Sequence, residues 1–178
     1  MPQSASESLI RVLNEVSGAI GRVKAEEIEA LGDAIVAAGG VFVAGEGRSG
    51  LVVRCLAMRL MQLGLRAHVA GETVTPAFGP GDLLVVVSGS GERRVTCTTA
   101  GVARDLGGRV AVVTAAPGSS LVRMADICVA IPVGESEQFG GSAFEQAALL
   151  VLDSLALLLH HRLGRSWDEM RSRHATLE

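Results

Sequence analysis

Five short apolar runs, separated by segments with helical spacing, constrain the fold more than any other feature of this sequence. Each run is rich in β-branched residues and is largely apolar rather than alternating with polar residues. Continuous apolarity predicts strands that are covered on both faces, as in a parallel sheet. The runs are Val41–Ala44, Arg66–Val69, Leu83–Val87, Arg109–Val113 and Ile127–Ile131.

Segments between and around these runs place apolar residues three or four positions apart, which predicts helices. Residues 4–38 contain no proline and predict two helices that separate near Lys24. The alternation of strands and helices predicts an α/β fold, a three-layer α/β/α sandwich around a five-stranded parallel sheet with right-handed crossovers. The other predicted helices are Leu51–Leu63, Arg94–Leu106, a short one after Ser119, and Ser142–Arg162.

Length and composition indicate one domain over residues 1–178. Of the 178 residues, 48% are hydrophobic, which is enough to bury a sizeable core. We expect a helical N-terminal segment (about 4–38), an α/β core (about 39–163) and a polar tail (about 164–178) that is either frayed or docked elsewhere as an arm. The net charge of -3, with 16 Lys and Arg against 19 Asp and Glu, argues against nucleic-acid binding through a basic surface.

Neither a membrane span nor a secretory leader is predicted. The most apolar stretch, Ala147–Leu159, is short and is interrupted by Asp153 and Ser154. The first residues lack the basic start and the apolar block of a signal peptide. The cysteines have no CxxC spacing and are expected to be small buried thiols in a reducing cytoplasm. They are Cys55, Cys97 and Cys128.

A glycine-rich segment, Gly45–Gly50, follows the first predicted strand and leads into a helix. Its sequence satisfies G-x-G-x-x-G, and Glu72 falls about 22 residues later. Taken alone, this pattern fits a dinucleotide-binding fingerprint. The same turn also suits any phosphate at a helix N-terminus, and 178 residues leave no room for the substrate domain of a dehydrogenase.

A second glycine-rich segment, Ser88–Glu92, follows the third predicted strand. Because ligands of open parallel sheets bind beyond the carboxyl ends of the strands, the two loops are expected to border one pocket for an anion. The alternative is that their serines and glycines only make turns. Arg48 suits either a phosphate or an ion pair with Glu46 or Glu92. The candidate phosphate-binding residues are Gly47, Arg48, Ser49, Ser88, Gly89, Ser90 and Gly91.

Both loops, together with the helix start Phe144-Glu145-Gln146, resemble the sugar isomerase (SIS) domain family. Within it the chain is most similar to the 6-phospho-3-hexuloisomerases, over essentially its whole length. Members of the superfamily often have a phosphate-binding Thr where this chain has Arg93, which suits either phosphate or solvent. The narrower resemblance rests on Ala57–Met61, Leu63-Gly64, Leu152-Asp153, Arg173–Ala175 and Leu177-Glu178.

The resemblance implies an isomerase that interconverts a 3-keto and a 2-keto hexose 6-phosphate through a cis-enediolate, in formaldehyde assimilation by the ribulose monophosphate pathway. Such proton transfer needs no metal or redox cofactor, and no cluster has metal-ligand spacing. The resemblance also implies a cytoplasmic homo-oligomer, commonly a tetramer, that binds a small sugar phosphate. Two alternatives stay open on the same fold, another aldose–ketose phosphate isomerase and a non-catalytic phosphosugar sensor.

The resemblance assigns the role of catalytic base to Glu145. From the residues alone, Ser142 and Glu145 suit a capping box equally well, in which the carboxylate only holds the helix start. His174 is the second candidate catalytic residue, since similar isomerases use a histidine to open the sugar ring or polarise the carbonyl. It lies in the tail, so it either reaches the pocket of a neighbouring subunit or is an exposed surface histidine.

Overall fold

The computed structural model describes residues 4–177 and contains a five-stranded sheet in which every pair of neighbours is parallel. The strands are β1 Val41–Ala44, β2 Ala67–Val69, β3 Leu83–Val87, β4 Arg109–Thr114 and β5 Ile127–Ala130, in the spatial order β2-β1-β3-β4-β5. The helices are α1 Ala5–Ile20, α2 Ala25–Ala37, α3 Gly47–Gln62, α4 Arg94–Asp105, α5 Ser120–Met124, α6 Ser142–Arg162 and α7 Trp167–Ser172.

The sheet is covered on both faces because alternate residues of its central strands enter different cores. In β3, Leu83 and Val85 join a core that includes residues of α1, α2, α3 and α6, whereas Leu84 and Val86 join a smaller core with α4 and α5. All of β3 is buried. A strand between two helical layers has no solvent face, which explains its continuous apolarity and confirms the predicted three-layer sandwich.

The longest helix, α6, passes along the larger core. Its 21 residues are long and apolar enough to cross a membrane by length and composition alone, which the shorter apolar stretch seen in the sequence did not predict. Half of its apolar window is buried inside the protein, and the helix packs against α1, α2 and α3. Contact with three other helices accounts for its apolar composition.

Two helices differ from their sequence predictions. The first, α3, begins at Gly47 rather than at Leu51, because the glycine-rich segment itself forms the first helical turn. The second, α7, lies in the polar tail, for which the sequence predicted no helix but either a frayed tail or an arm docked elsewhere. Ser166 and Glu169 form a capping box that starts α7, and this accounts for an ordered helix in a polar sequence.

The three cysteines are free thiols, as predicted, but each is half-buried rather than fully buried. Burial raises the pKa of the Cys97 thiol and of the Cys128 thiol. Both are therefore held in the protonated, weakly nucleophilic form at neutral pH.

The order of strands creates a crevice between β1 and β3. These strands pair directly, although β2 lies between them in the sequence. The chain leaves β1 toward one side of the sheet and continues from β3 toward the other, so the connections after the two strands diverge. Both glycine-rich loops lie at this point.

Candidate active site

A cavity of about 740 Å³ opens at the carboxyl ends of β1 and β3. Its walls are the loop after β1, the loop after β3, the start of α6 and the segment 133–141 that precedes α6. Most of the residues predicted from the sequence meet here, whereas Gly91 and His174 are not part of the lining. Those that line it are Gly47, Arg48, Ser49, Ser88, Gly89, Ser90 and Glu145.

The first loop depends on the close approach of two glycines. A Cβ atom on Gly50 would lie 2.6 Å from the carbonyl oxygen of Gly45, so side chains are excluded where the end of β1 meets α3. This contact brings the first turn of α3, including the buried Ser49, to the cavity. That turn contains no acidic residue. Its N-cap residue, Glu46, also lines the cavity but makes no side-chain cap hydrogen bond, so the amides at the start of the helix are available to an anion.

The second loop presents two hydroxyl groups. Ser88 Oγ accepts a hydrogen bond of 3.2 Å from the Gly91 amide, and Ser90 Oγ accepts one of 3.3 Å from the Glu92 amide. Since each oxygen acts as an acceptor, each hydroxyl keeps its own proton for donation to a ligand. Arg93, the N-cap residue of α4, also lines the cavity, and the first turn of α4 has no acidic residue.

Gly91 supports the second loop without lining the cavity, which corrects its predicted place. Its φ is +63°, and a Cβ atom there would lie 2.0 Å from the Ser119 hydroxyl oxygen. The Gly91 carbonyl accepts a hydrogen bond from the Leu121 amide at 3.1 Å. Hydrogen bonds from Ser120 hold the pKa of the Glu92 carboxyl below its usual value. Together these contacts tie the loop to α5.

The start of α6 decides between the two interpretations of Glu145. Gly141, rather than Ser142, is the N-cap residue. The Ser142 hydroxyl donates to the carbonyl of Phe139 at 2.9 Å, and no side chain caps the helix. The capping-box alternative is therefore wrong, and the Glu145 carboxylate does not bond to the backbone at the helix start.

Glu145 instead forms an ion pair with Arg48 of α3. The ion pair of Arg48 is thus with the candidate base, not with Glu46 or Glu92 as considered from the sequence. The Glu145 side chain is 15% exposed and that of Arg48 is 59% exposed. A carboxylate at the wall of the cavity is therefore covered on one side by a solvated guanidinium.

His174 lies away from this cavity. It lines a separate depression of about 240 Å³ with Arg59 and Trp167, and its Nδ1 is 3.2 Å from the carbonyl oxygen of Ala175. The fold of one subunit therefore does not bring His174 to Glu145. Glu178, which belongs to the same resembling segment, lies outside the described residues.

Two observations concern the binding of a dinucleotide or of a metal ion. Glu72, the acidic residue of the dinucleotide-binding pattern, forms an ion pair with Arg54 of α3. Within residues 4–177, no group of three or more His, Cys, Asp or Glu side chains is arranged to hold a metal ion.

Sequence reasoning missed the segment before α6 as a wall of the cavity. Val133, Gly134 and Ser136 line it together with Gly140 and Gly141. A signal was present, because Gly134, Gly140 and Gly141 lie between β5 and α6. The segment lacks the compact glycine spacing of the other two loops, so no motif marked it.

Comparison with known proteins identifies the protein family to which this chain belongs. Residues 34–160 match the model of the SIS domain family. The chain is 41% identical to the 3-hexulose-6-phosphate isomerase of Mycobacterium gastri, covering 97% of this chain and 91% of that relative. It is 37% identical to the protein of the same name from Bacillus subtilis (strain 168), covering 97% and 98%.

A solved structure extends the similarity to the backbone. The crystal structure of a hypothetical protein from Methanococcus jannaschii, for which a 3-hexulose-6-phosphate isomerase function was inferred, matches with a TM-score of 0.88. The two chains are 32% identical, and the match covers 97% of this chain and 99% of the other. The chain belongs to the SIS domain family and, within it, to the 3-hexulose-6-phosphate isomerases. The resemblance seen in the sequence is confirmed.

Proposed function

We propose that this protein converts 3-hexulose 6-phosphate to fructose 6-phosphate. The carbonyl shift requires a phosphate site and a base in one cavity. The observation that carries the proposal is that Glu145 of α6 lines the same cavity as the loops after β1 and β3. The proposed ligand is thus a small sugar phosphate, the substrate 3-hexulose 6-phosphate. It is formed in the cytoplasm when formaldehyde is fixed onto ribulose 5-phosphate in the ribulose monophosphate pathway.

The phosphate group is proposed to lie between the N-terminal turns of α3 and α4. Neither turn contains an acidic residue, so both helix dipoles favour an anion there. The Arg93 side chain adds a positive charge at the same wall. The proposed donors are the backbone amides of Gly47 and Gly89 and the hydroxyls of Ser49, Ser88 and Ser90.

Glu145 is proposed to carry the proton between the two carbons. Its carboxylate removes the proton from C2, and the electron pair of that C–H bond forms the C2–C3 double bond while the C3 carbonyl oxygen takes the negative charge. The proton of the C2 hydroxyl then passes to the C3 oxygen. The C2 carbonyl forms as the electron pair of the C2–C3 double bond takes a proton at C3 from Glu145, either the proton that Glu145 removed or one exchanged with solvent. One carboxylate serves both transfers, so the proposal includes no metal or redox cofactor.

Arg48 is proposed to stabilise the enediolate. Its Nε group contacts Glu145, which leaves the N–H groups on its two terminal nitrogens for other acceptors. A guanidinium beside the base can receive the negative charge that develops on the C2 and C3 oxygens. The Arg48 contact seen in the structure therefore links the base to the oxygen-stabilising group.

His174 is proposed to act in the cavity of a neighbouring subunit of a homotetramer. In its own subunit it lies in a depression separate from the cavity. The chain also exposes large apolar side chains on α1 and α6, as subunit interfaces do. These are Leu9, Ile10, Leu13, Leu150 and Leu157. Light scattering tests the oligomer, and a monomer would contradict it.

The proposal is tested by supplying the substrate enzymatically. A synthase generates 3-hexulose 6-phosphate from formaldehyde and ribulose 5-phosphate, and fructose 6-phosphate is measured after addition of the wild-type protein. We expect rapid formation of fructose 6-phosphate without added metal or nucleotide. A protein that binds fructose 6-phosphate in a thermal-shift assay but forms none would contradict the isomerase and indicate the sensor alternative.

A further inference from the structure

The segment 132–141 forms part of the cavity wall but has no regular secondary structure. Among the described residues, its backbone between Pro132 and Gln138 makes no hydrogen bond to another backbone group. Such a segment must be held by side chains if it is to keep one conformation.

The side chains that hold it come from α1 and from the turn that follows it. The Glu15 carboxylate accepts hydrogen bonds from the Ser136 hydroxyl at 2.6 Å, the Gln138 side-chain amide at 2.9 Å and the Glu137 backbone amide at 3.1 Å. Arg22, just beyond the end of α1, donates to the Pro132 carbonyl from Nε at 3.1 Å and from a terminal nitrogen at 2.7 Å.

Glu15 is well placed to act as an anchor. It is half-buried, and its neighbour Val16 is packed in the larger core, so the helix that carries it is fixed. Hydrogen bonds from Ser136, Gln138 and the Glu137 amide hold the pKa of the Glu15 carboxyl below its usual value. The ionised carboxylate is therefore the form that receives all three donors.

We propose that Glu15 is a positioning residue for the isomerase, which holds the segment 132–141 as the wall of the cavity through Ser136, Glu137 and Gln138. Ser136 connects Glu15 to the cavity, because its hydroxyl donates to Glu15 and the residue itself lines the cavity. The inference rests on the proposed function, since it assigns the wall to the binding of the sugar phosphate.

The test compares Glu15→Gln with Glu29→Gln, which makes the same change at an exposed residue of α2. The amide introduced by Glu15→Gln offers one acceptor oxygen in place of the two of the carboxylate, so part of the anchor is lost. We expect the KM for 3-hexulose 6-phosphate to rise at least about tenfold in Glu15→Gln only. The affinity for inorganic phosphate, which the two glycine-rich loops bind, should stay unchanged in both variants.

Hydrogen–deuterium exchange gives a readout that does not depend on activity. The amides of Glu137 and Gln138, which donate to the Glu15 carboxylate and to the Ser136 hydroxyl, should exchange faster in Glu15→Gln than in the wild type or in Glu29→Gln. A wild-type exchange rate in this segment together with a wild-type KM would overturn the proposal. If the wild-type protein forms no fructose 6-phosphate, the proposed function fails, while the exchange rates still test whether Glu15 anchors the segment.

A second variant tests whether Glu15 acts through Ser136. Ser136→Ala keeps the carboxylate and removes one donor, so it should raise KM less than Glu15→Gln does. In the double variant the two effects should not add, because both changes break the same contact. Additive effects would show that Glu15 does not act through Ser136 and would overturn the proposal.

Discussion

At the scale of single residues, Ser88 and Glu145 are proposed to have different roles in the cavity, Ser88 in binding and Glu145 in proton transfer. Ser88 belongs to a loop tied to α5, and its oxygen already accepts the Gly91 amide. Glu145 belongs to α6, and its carboxylate contacts Arg48 of α3. The proposed binding hydroxyl is thus held by a backbone amide, whereas the proposed base is paired with a solvated side chain.

Ser88→Ala should therefore weaken the binding of fructose 6-phosphate. Loss of a hydrogen bond to a charged group costs about 1.5–3 kcal/mol, which is roughly a ten- to hundredfold rise in Kd. Calorimetric titration measures the change. Ser154→Ala is the matched control, since Ser154 donates to the Val151 carbonyl within α6 and lies outside the cavity lining. Equal affinities for the two variants would contradict a phosphate-binding role for Ser88.

The sequence predicts the position of a single residue where one short motif contains that residue. Ser49, Ser88 and Ser90 were placed at the cavity by two short glycine-rich segments, each following a strand. The contact between Arg48 and Glu145 was not predictable, because the two residues are far apart in sequence and several acidic residues were equally plausible partners. A sequence pattern identifies which residues belong to a loop. The packing of α3 against α6 determines which of their side chains contact each other.

At the scale of elements, the junction of β1 and α3 fixes the position of the first loop. The glycines at this junction pack backbone against backbone, so a methyl group there must displace one element. The same residue type elsewhere in a helix has no such role. Gly101 lies within α4, where a Cβ atom would meet nothing within 4 Å.

Gly50→Ala and Gly101→Ala should consequently change stability in opposite directions. The first places a Cβ atom 2.6 Å from the Gly45 carbonyl oxygen, and overpacking of this kind costs about 1–3 kcal/mol. The second replaces glycine in a helix interior by alanine, which stabilises by about 0.5–1 kcal/mol. Urea unfolding at one protein concentration measures both. Destabilisation by both variants to the same extent would contradict the close-approach argument.

Element boundaries show where sequence patterns are informative and where they are not. The central strands β1, β3 and β4 were found because burial on both faces requires continuous apolarity. The start of α3 was placed too late because glycine is a poor helix former, yet here it forms the first turn for packing reasons. The helix α7 was missed because its polar residues gave no apolar period, although the Ser166 capping box was present in the sequence.

At the scale of the whole molecule, we expect the proposed site to combine residues of two subunits. Glu145 lines the cavity, and His174 of the same chain lies in a separate depression beside α7. The exposed apolar side chains of α1 and α6 offer surfaces for subunit contacts. A site divided between subunits would explain why the tail carries a candidate catalytic residue.

Mixing two inactive variants tests this division. Subunits with Glu145→Gln and subunits with His174→Ala are unfolded together in equal amounts and refolded. If each site takes Glu145 from one chain and His174 from another, about one site in four is intact and activity returns. If both residues acted within one chain, every site would carry a defect and the mixture would stay inactive. Wild-type turnover in His174→Ala alone would remove this residue from the mechanism.

The central claim, proton transfer by Glu145 through an enediolate, is tested most directly by deuterium labelling. Fructose 6-phosphate is incubated in D₂O with the wild type or with Glu145→Gln, and label at C3 is followed by NMR. Removal of a general base typically costs about 10²–10⁴-fold, so we expect the wild type to label C3 at least about a hundredfold faster than Glu145→Gln. Labelling by Glu145→Gln at the wild-type rate would contradict the account.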